Sequence, residues 1–156
     1  MSDARVASDV SEECEATPIW SDRYELGFAP MDDIHKEFVD LVRLMKTAPE
    51  SELVSVLDRF SQHAQAHFSE EETWMFADEF PARDCHKQEH DAVLDSVYEV
   101  RNLIQAGHNP AMVRDLAKAL EDWFPLHATY MDSALAAWMF KKEYGGRPVV
   151  FRRMTK

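Results

Sequence analysis

Apolar residues recur along this chain with the period of a helix and not of a strand. Ile34, Phe38, Leu41, Val42 and Met45 follow one another at intervals of three and four, the spacing that lines one face of a 3.6-residue turn. The same rhythm runs through Leu53, Leu57, Phe60, Ala64, Phe68 and Met75, then through Val93, Leu94, Val97, Val100, Leu103 and Ile104, and last through Val113, Leu116, Leu120, Trp123, Phe124, Met131, Leu135 and Trp138. Breakers separate the runs: Ala48-Pro49, Phe80-Pro81, and Gly107 with Asn109-Pro110. The pattern predicts helices from about 31 to 46, from 49–51 to about 78, from a cap at Asp84 to Gly107 as the C′ residue, and from about 111 to 144. Amphipathic helices joined by short breaks predict an all-α fold, an up-down-up-down antiparallel four-helix bundle.

Pro125 falls inside the last of these helices. It has no N–H for the ladder and crowds the turn before it, so a kink or a widened turn is expected immediately before His127. Residues 1–17, rich in Ser, Asp and Glu, predict a flexible tail. The stretch from Thr17 through Pro30 mixes breakers with Trp20, Tyr24 and Phe28, which predicts an irregular N-terminal arm laid over the core. Residues 145–156 predict an irregular C-terminal tail, leaving the bundle at 18–144.

At 156 residues the chain suits one domain with a sizeable core. Its net charge of −12 argues against a nucleic-acid partner and an anionic membrane surface, both of which call for clustered Lys and Arg. No apolar run approaches the roughly 20 residues that span a bilayer, and the polar, acidic N-terminus is unlike a secretory signal. The expected compartment is the cytoplasm, where the free thiols of Cys14 and Cys85 would stay reduced. Cys85, at a helix start, is read by default as buried and inert, with a redox-responsive thiol as the alternative.

The chemistry lies in the polar residues set among the apolar stripes. His67 and Glu71 are four apart, on one helix face. His35 stands at the edge of the first stripe, His86 and His90 open the third, and His127 and Asp132 fall in the fourth. Five of the seven histidines thus meet two carboxylates at mid-length on different helices. One such pair alone is a weak signal. Burying all of them together without partners would be costly, whereas two carboxylates from different helices suit the bridging of two cations in a nitrogen-rich site. An odd number of imidazoles would leave one ion an open position for a small molecule. His127 and Asp132 are five apart, about 140° around an ideal helix, so they would serve neighbouring ions unless Pro125 distorts the helix. His63 is read as a surface or outer-layer histidine and His108 as a solvated turn residue, with Glu72 as a possible outer-layer acid.

Four segments in order, Gly27-Phe-Ala-Pro-Met-Asp-Asp-Ile-His35-Lys36, His67-Phe-Ser-Glu-Glu71-Glu72-Thr-Trp-Met75, His86-Lys-Gln-Glu-His90 and Trp123-Phe-Pro-Leu-His127-Ala-Thr-Tyr-Met-Asp132, resemble the bacterial hemerythrins, four-helix bundles with a non-haem di-iron centre. The resemblance implies two iron ions joined by an oxo or hydroxo group. His86, His90 and His127 would hold one ion, His35 and His67 the other, with Glu71 and Asp132 bridging. Dioxygen, or another small diatomic or anion, would bind at the two-histidine iron in a pocket formed by Trp123, Phe124 and Ala128. The chain departs from the family pattern in having Ile34 where Gln is usual, Ala128 where a branched aliphatic is usual, and Pro125. The function implied is reversible dioxygen binding for storage, delivery or sensing, without turnover. The alternatives are an enzyme-like role in iron handling or in peroxide or nitric oxide removal, and a stand-alone signalling module. The absence of any ExxH pair, which ferritin-like di-iron enzymes use, weighs against the enzyme-like reading.

Overall fold

The computed structural model describes residues 20–145. The tail expected at 1–17 and all but the first residue of the C-terminal tail lie outside the described residues. Within them the elements are α1 (Ala29–Thr47), α2 (Leu53–Ala77), α3 (Arg83–Gln105), α4 (Met112–His127), a π-helical turn (Ala128–Asp132) and α5 (Ser133–Tyr144), with single 3-10 turns at Asp22–Tyr24 and Glu50–Glu52. The described residues form no strand.

Two apolar clusters fix the direction of each helix. The larger gathers Phe38, Leu41 and Met45 of α1, Leu57, Phe60 and Ala64 of α2, Val93 and Val97 of α3, and Val113, Leu120 and Phe124 of α4. The smaller gathers Phe28, Met31, Met75, Phe80, Leu135 and Ala136. So α1 starts at the smaller cluster and ends in the larger, α2 runs the opposite way, α3 follows α1, and α4 with α5 follows α2. That alternation is the up-down-up-down bundle, and α1 and α3 each pack against both α2 and α4. Burial of these side chains drives assembly, at about 1.5–3 kcal/mol for each large one fully removed from water.

Local sequence sets the ends. Pro30 falls in the first turn of α1, where its missing N–H costs nothing. Gly107, at φ 99°, is the predicted C′ residue: its N–H reaches the Ile104 carbonyl and that of His108 the Leu103 carbonyl, each at 3.0 Å, the paired bonds of a Schellman motif. Arg114 of α4 donates to the carbonyls of Lys46 and Ala48, satisfying groups left open at the end of α1.

Three expectations are corrected. The N-cap of α3 is Ala82, with no side-chain cap bond, and Asp84 lies inside the first turn. The fourth helix is not continuous, and its widened turn follows His127 instead of preceding it: Pro125 is accommodated within α4, and the extra residue is taken up where the Ser133 N–H bonds the Ala128 carbonyl five residues back. The Thr129 carbonyl, which a regular helix would have paired with that N–H, accepts from the Ser133 hydroxyl. Finally, Cys85 is exposed, not buried, because it points away from the face that carries His86. A thiol reagent is therefore expected to label Cys85 in the folded protein as fast as in a short peptide; labelling only after denaturation would contradict the exposed placement.

Candidate metal centre

Between the two apolar clusters, on every helix, lies a polar layer. His35 sits between Met31 and Phe38, His67 and Glu71 between Ala64 and Met75, His86 and His90 between Phe80 and Val93, and His127 and Asp132 between Phe124 and Leu135. All seven are at most 4% exposed. Among the described residues one further polar side chain is equally buried, Asp32. Its role is separate, because its carboxylate accepts from the N–H groups of Leu26 and Gly27 at 2.7 and 3.1 Å and so ties the N-terminal arm to α1.

The structure brings the seven predicted residues into one place, in two adjoining groups. Ligand atoms of His86, His90, His127, Glu71 and Asp132 all lie within 4.8 Å of one another, as do those of His35, His67 and Glu71. Each carboxylate divides its oxygens between the groups. Glu71 Oε1 is 2.8 Å from His67 Nε2 and 3.4 Å from His35 Nε2, while its Oε2 is 3.2 Å from His90 Nε2 and 3.6 Å from His86 Nε2. Asp132 Oδ1 is 2.9 Å from His86 Nε2 and 3.1 Å from His127 Nε2, and its Oδ2 is 3.2 Å from His35 Nε2.

These spacings fit a cation. Two donors each about 2.1 Å from an ion and at right angles lie about 3.0 Å apart. Many of the atoms also have no hydrogen-bond partner, including His35 Nε2, His90 Nε2, Glu71 Oε2 and both oxygens of Asp132. Two contacts within the cluster do meet hydrogen-bond geometry, His67 Nε2 with Glu71 Oε1 at 2.8 Å and His86 Nε2 with His127 Nε2 at 3.1 Å; for the unpartnered atoms a shared target is the economical explanation, since buried polar groups are otherwise paired. The electrostatics agree. Burial opposes charge on His35, but the Asp132 and Glu71 carboxylates outweigh it and raise its pKa to about 9. Burial dominates at His90 and lowers it to about 4, assisted by His86 and His127 against the pull of Glu71. Burial and mutual repulsion would raise Glu71, yet the surrounding imidazoles hold it well below the ordinary carboxylate range; burial likewise opposes ionisation of Asp132, and His127, His35 and His86 hold it down. The pair of carboxylates calls for positive charge, from protons or from metal ions.

The π-helical turn is what makes His127 and Asp132 a pair. One residue absorbed by the bulge lets five residues cover the angle that four normally do, about 40° in place of about 140°.

The residues expected to form a ligand pocket are distributed unequally. The Phe124 ring stands edge-on to His35, centroids 5.3 Å apart, and Ala128 is buried in the larger cluster. Trp123 lies against the other group, stacked on His127 at 4.2 Å. Phe38 and Phe68 contact His67. His63 is more enclosed than a surface histidine, packed by Phe38 and His67, with burial and then His67 lowering its pKa to about 4, but it belongs to neither group. His108 is exposed in its turn. Metal content measured by elemental analysis is expected to be unchanged in His63→Ala and His108→Ala; a loss in either would enlarge the donor set beyond the seven. Glu89 went unnoticed in the sequence, where it reads as one more helix-surface acid beside His90. It accepts from Trp123 Nε1 at 2.9 Å and its Oε2 stands 3.9 Å from His127 Nδ1.

Four antiparallel helices around two adjoining donor groups that draw on the same carboxylates define a bundle with a candidate dinuclear metal site. Residues 26–139 match the Hemerythrin HHE cation binding domain. The chain is 38% identical over 123 residues to a bacteriohemerythrin of Ralstonia nicotianae, covering 79% of this chain and 89% of that one. It is 25% identical over 122 residues to the bacteriohemerythrin of Stenotrophomonas maltophilia, covering 76% and 78%. Crystal structures of two hemerythrin mutants superpose with a TM-score of 0.69 at 25% identity, over 78% of this chain and 96% of theirs. The chain belongs to the hemerythrin family. No helix among the described residues is long and apolar enough to cross a membrane.

Proposed function

We propose that this chain is a non-haem di-iron protein that binds dioxygen reversibly, with His86, His90 and His127 on one ion, His35 and His67 on the other, and Glu71 and Asp132 giving one oxygen to each. The observation that carries the reading is the unequal division of donors. Three imidazoles and two carboxylate oxygens converge on one side, two imidazoles and two oxygens on the other. His86, His90 and His127 would hold the more fully supplied ion and His35 with His67 the less fully supplied one, so a small ligand would find room beside His35 and His67. A ferrous pair held there would supply the electrons for reversible dioxygen binding.

The chain's own residues favour binding over turnover. Beside the His63 imidazole, which packs on His67, the side chains closing on His35 and His67 include the aromatic rings of Phe124, Phe38 and Phe68. These three rings offer no proton and exclude water, which slows the protonation that would turn a bound ligand into released peroxide. The reading is of a binding protein, not an enzyme, with a small diatomic or anion as its ligand.

The test is an anaerobic titration of the reduced protein with air, followed optically and reversed by deoxygenation. Full recovery of the reduced spectrum over several cycles is the expected result; stoichiometric peroxide with permanently oxidised iron on the first cycle would replace binding by an oxidase reading. Ala128 bears on the rate of loss. A branched side chain there would thicken the wall beside the open position, so the oxygenated form of Ala128→Ile is expected to decay several-fold more slowly than wild type, with unchanged iron content and melting temperature as the control for overpacking. Equal or faster decay in an intact variant would remove Ala128 from the pocket.

A further inference from the structure

An imidazole that gives Nε2 to a cation keeps its proton on Nδ1. In all five histidines of the cluster Nδ1 is buried and lacks a hydrogen-bond partner. Two of the five nonetheless have a carboxylate behind them: Glu89 Oε2 stands 3.9 Å from His127 Nδ1, and Glu72 Oε1 3.7 Å from His90 Nδ1. Glu72 also faces Lys87 at 3.6 Å, which offsets its charge. Glu89 is placed differently. Its Oε2 accepts from Trp123 Nε1 at 2.9 Å, and the Trp123 ring lies on His127 with centroids 4.2 Å apart and planes 24° from parallel. Carboxylate, indole and imidazole thus close a triangle. The indole N–H fixes where the carboxylate sits, the indole face fixes the plane of the imidazole, and the carboxylate faces the nitrogen that must carry the proton.

We propose that Glu89 is a positioning residue that holds His127 in its metal-binding tautomer and orientation and, through its charge, lowers the reduction potential of the centre. The inference rests on the di-iron reading above. A carboxylate behind a ligating imidazole makes that imidazole a stronger donor and favours the more oxidised metal. Glu89 is 44% exposed, so its influence is moderated by solvent. The arrangement is one-sided. Among the described residues no carboxylate stands within 4.0 Å of Nδ1 of His35 or His67, whose contacts with acids are made through Nε2, so an ion held by these two would have no such support.

The test uses the full chain loaded with iron and compares wild type with Glu89→Gln, Trp123→Phe and the control Glu99→Gln, an exposed acid farther along α3. Midpoint potentials are read by spectroelectrochemical titration, and iron retention by competition with a chelator. Glu89→Gln is expected to weaken the preference for the oxidised state roughly tenfold, equivalent to about 59 mV upward for a one-electron couple, and to lower iron retention by about tenfold. Trp123→Phe keeps a ring on His127 but releases the carboxylate, and is expected to move the potential the same way by less. A potential in Glu89→Gln no higher than in Glu99→Gln overturns the inference; should Glu89→Gln fail to load iron, an unshifted potential in Trp123→Phe overturns it instead. Wild type that takes up no iron at all would overturn the di-iron reading and the inference with it, whereas an unshifted potential in iron-loaded Glu89→Gln overturns the inference alone.

Discussion

Glu71→Ala is expected to empty both halves of the centre, whereas His67→Ala empties only one. Glu71 belongs to both donor groups, its Oε1 turned to His67 and His35 and its Oε2 to His90 and His86. Its removal takes an oxygen from each side. His67 serves one side alone, and the five-donor group of His86, His90, His127, Glu71 and Asp132 is intact without it. Elemental analysis should find about two ions per chain in wild type and one in His67→Ala. In Glu71→Ala the affinity on both sides should fall by well over the roughly 10- to 100-fold that loss of an outer partner costs. Two ions retained in Glu71→Ala would show that the carboxylate does not bridge. Loss of both in His67→Ala would show that the two sides fill only together.

Chelating the metal is expected to lower the melting temperature by roughly 8–16 °C. Ions held at a thousandfold over their dissociation constant stabilise a folded chain by about 4 kcal/mol, and about 1 kcal/mol shifts a chain of this size by roughly 2–4 °C. The structural cause is specific. Glu71 and Asp132 are 0–1% exposed and share one small volume, so without a cation their charge must be met by protons on imidazoles that burial itself disfavours, as at His90. Calorimetry before and after dialysis against a strong chelator decides it. An unchanged transition after verified removal would mean that the apo bundle stands on its two apolar clusters alone.

The bundle was legible because the apolar positions keep a 3.6 period through each helix and the breakers are unambiguous; Gly107 could be placed as a C′ residue from sequence for that reason. The seven polar residues were legible because they interrupt apolar stripes at helical spacing on several helices at once. What was hidden is what depends on three-dimensional company. Asp32 looks like a first-turn acid, and only its bonds to Leu26 and Gly27 reveal a strut for the arm. Glu89 looks solvated until α4 delivers Trp123 and His127 to it. Asp84 looks like a cap, yet the chain enters α3 two residues sooner through Ala82. Pro125 marked the right helix for an irregularity and the wrong side of His127, since the position of a bulge depends on where the ladder can best yield and not only on where a donor is missing.

The π-helical turn has a further consequence for angular phase. Through α4 the buried positions are 113, 116, 117, 120, 124 and 127, and an unbroken helix would continue the series near 131, 134 and 135; the structure instead buries 132, 135 and 136. Everything beyond the turn is thus set back by one residue, about 100° of rotation. Were the same residues wound as regular helix at unchanged length, Asp132, Leu135 and Ala136 would all swing off their faces together. Deleting one residue from 129–131 has the opposite effect, because the bulge can then close into regular helix with those three still facing inward, drawn only about 1.5 Å nearer to His127. The turn therefore works as a stored residue, and it is the one place in this helix where the chain can be shortened without re-aiming its far end.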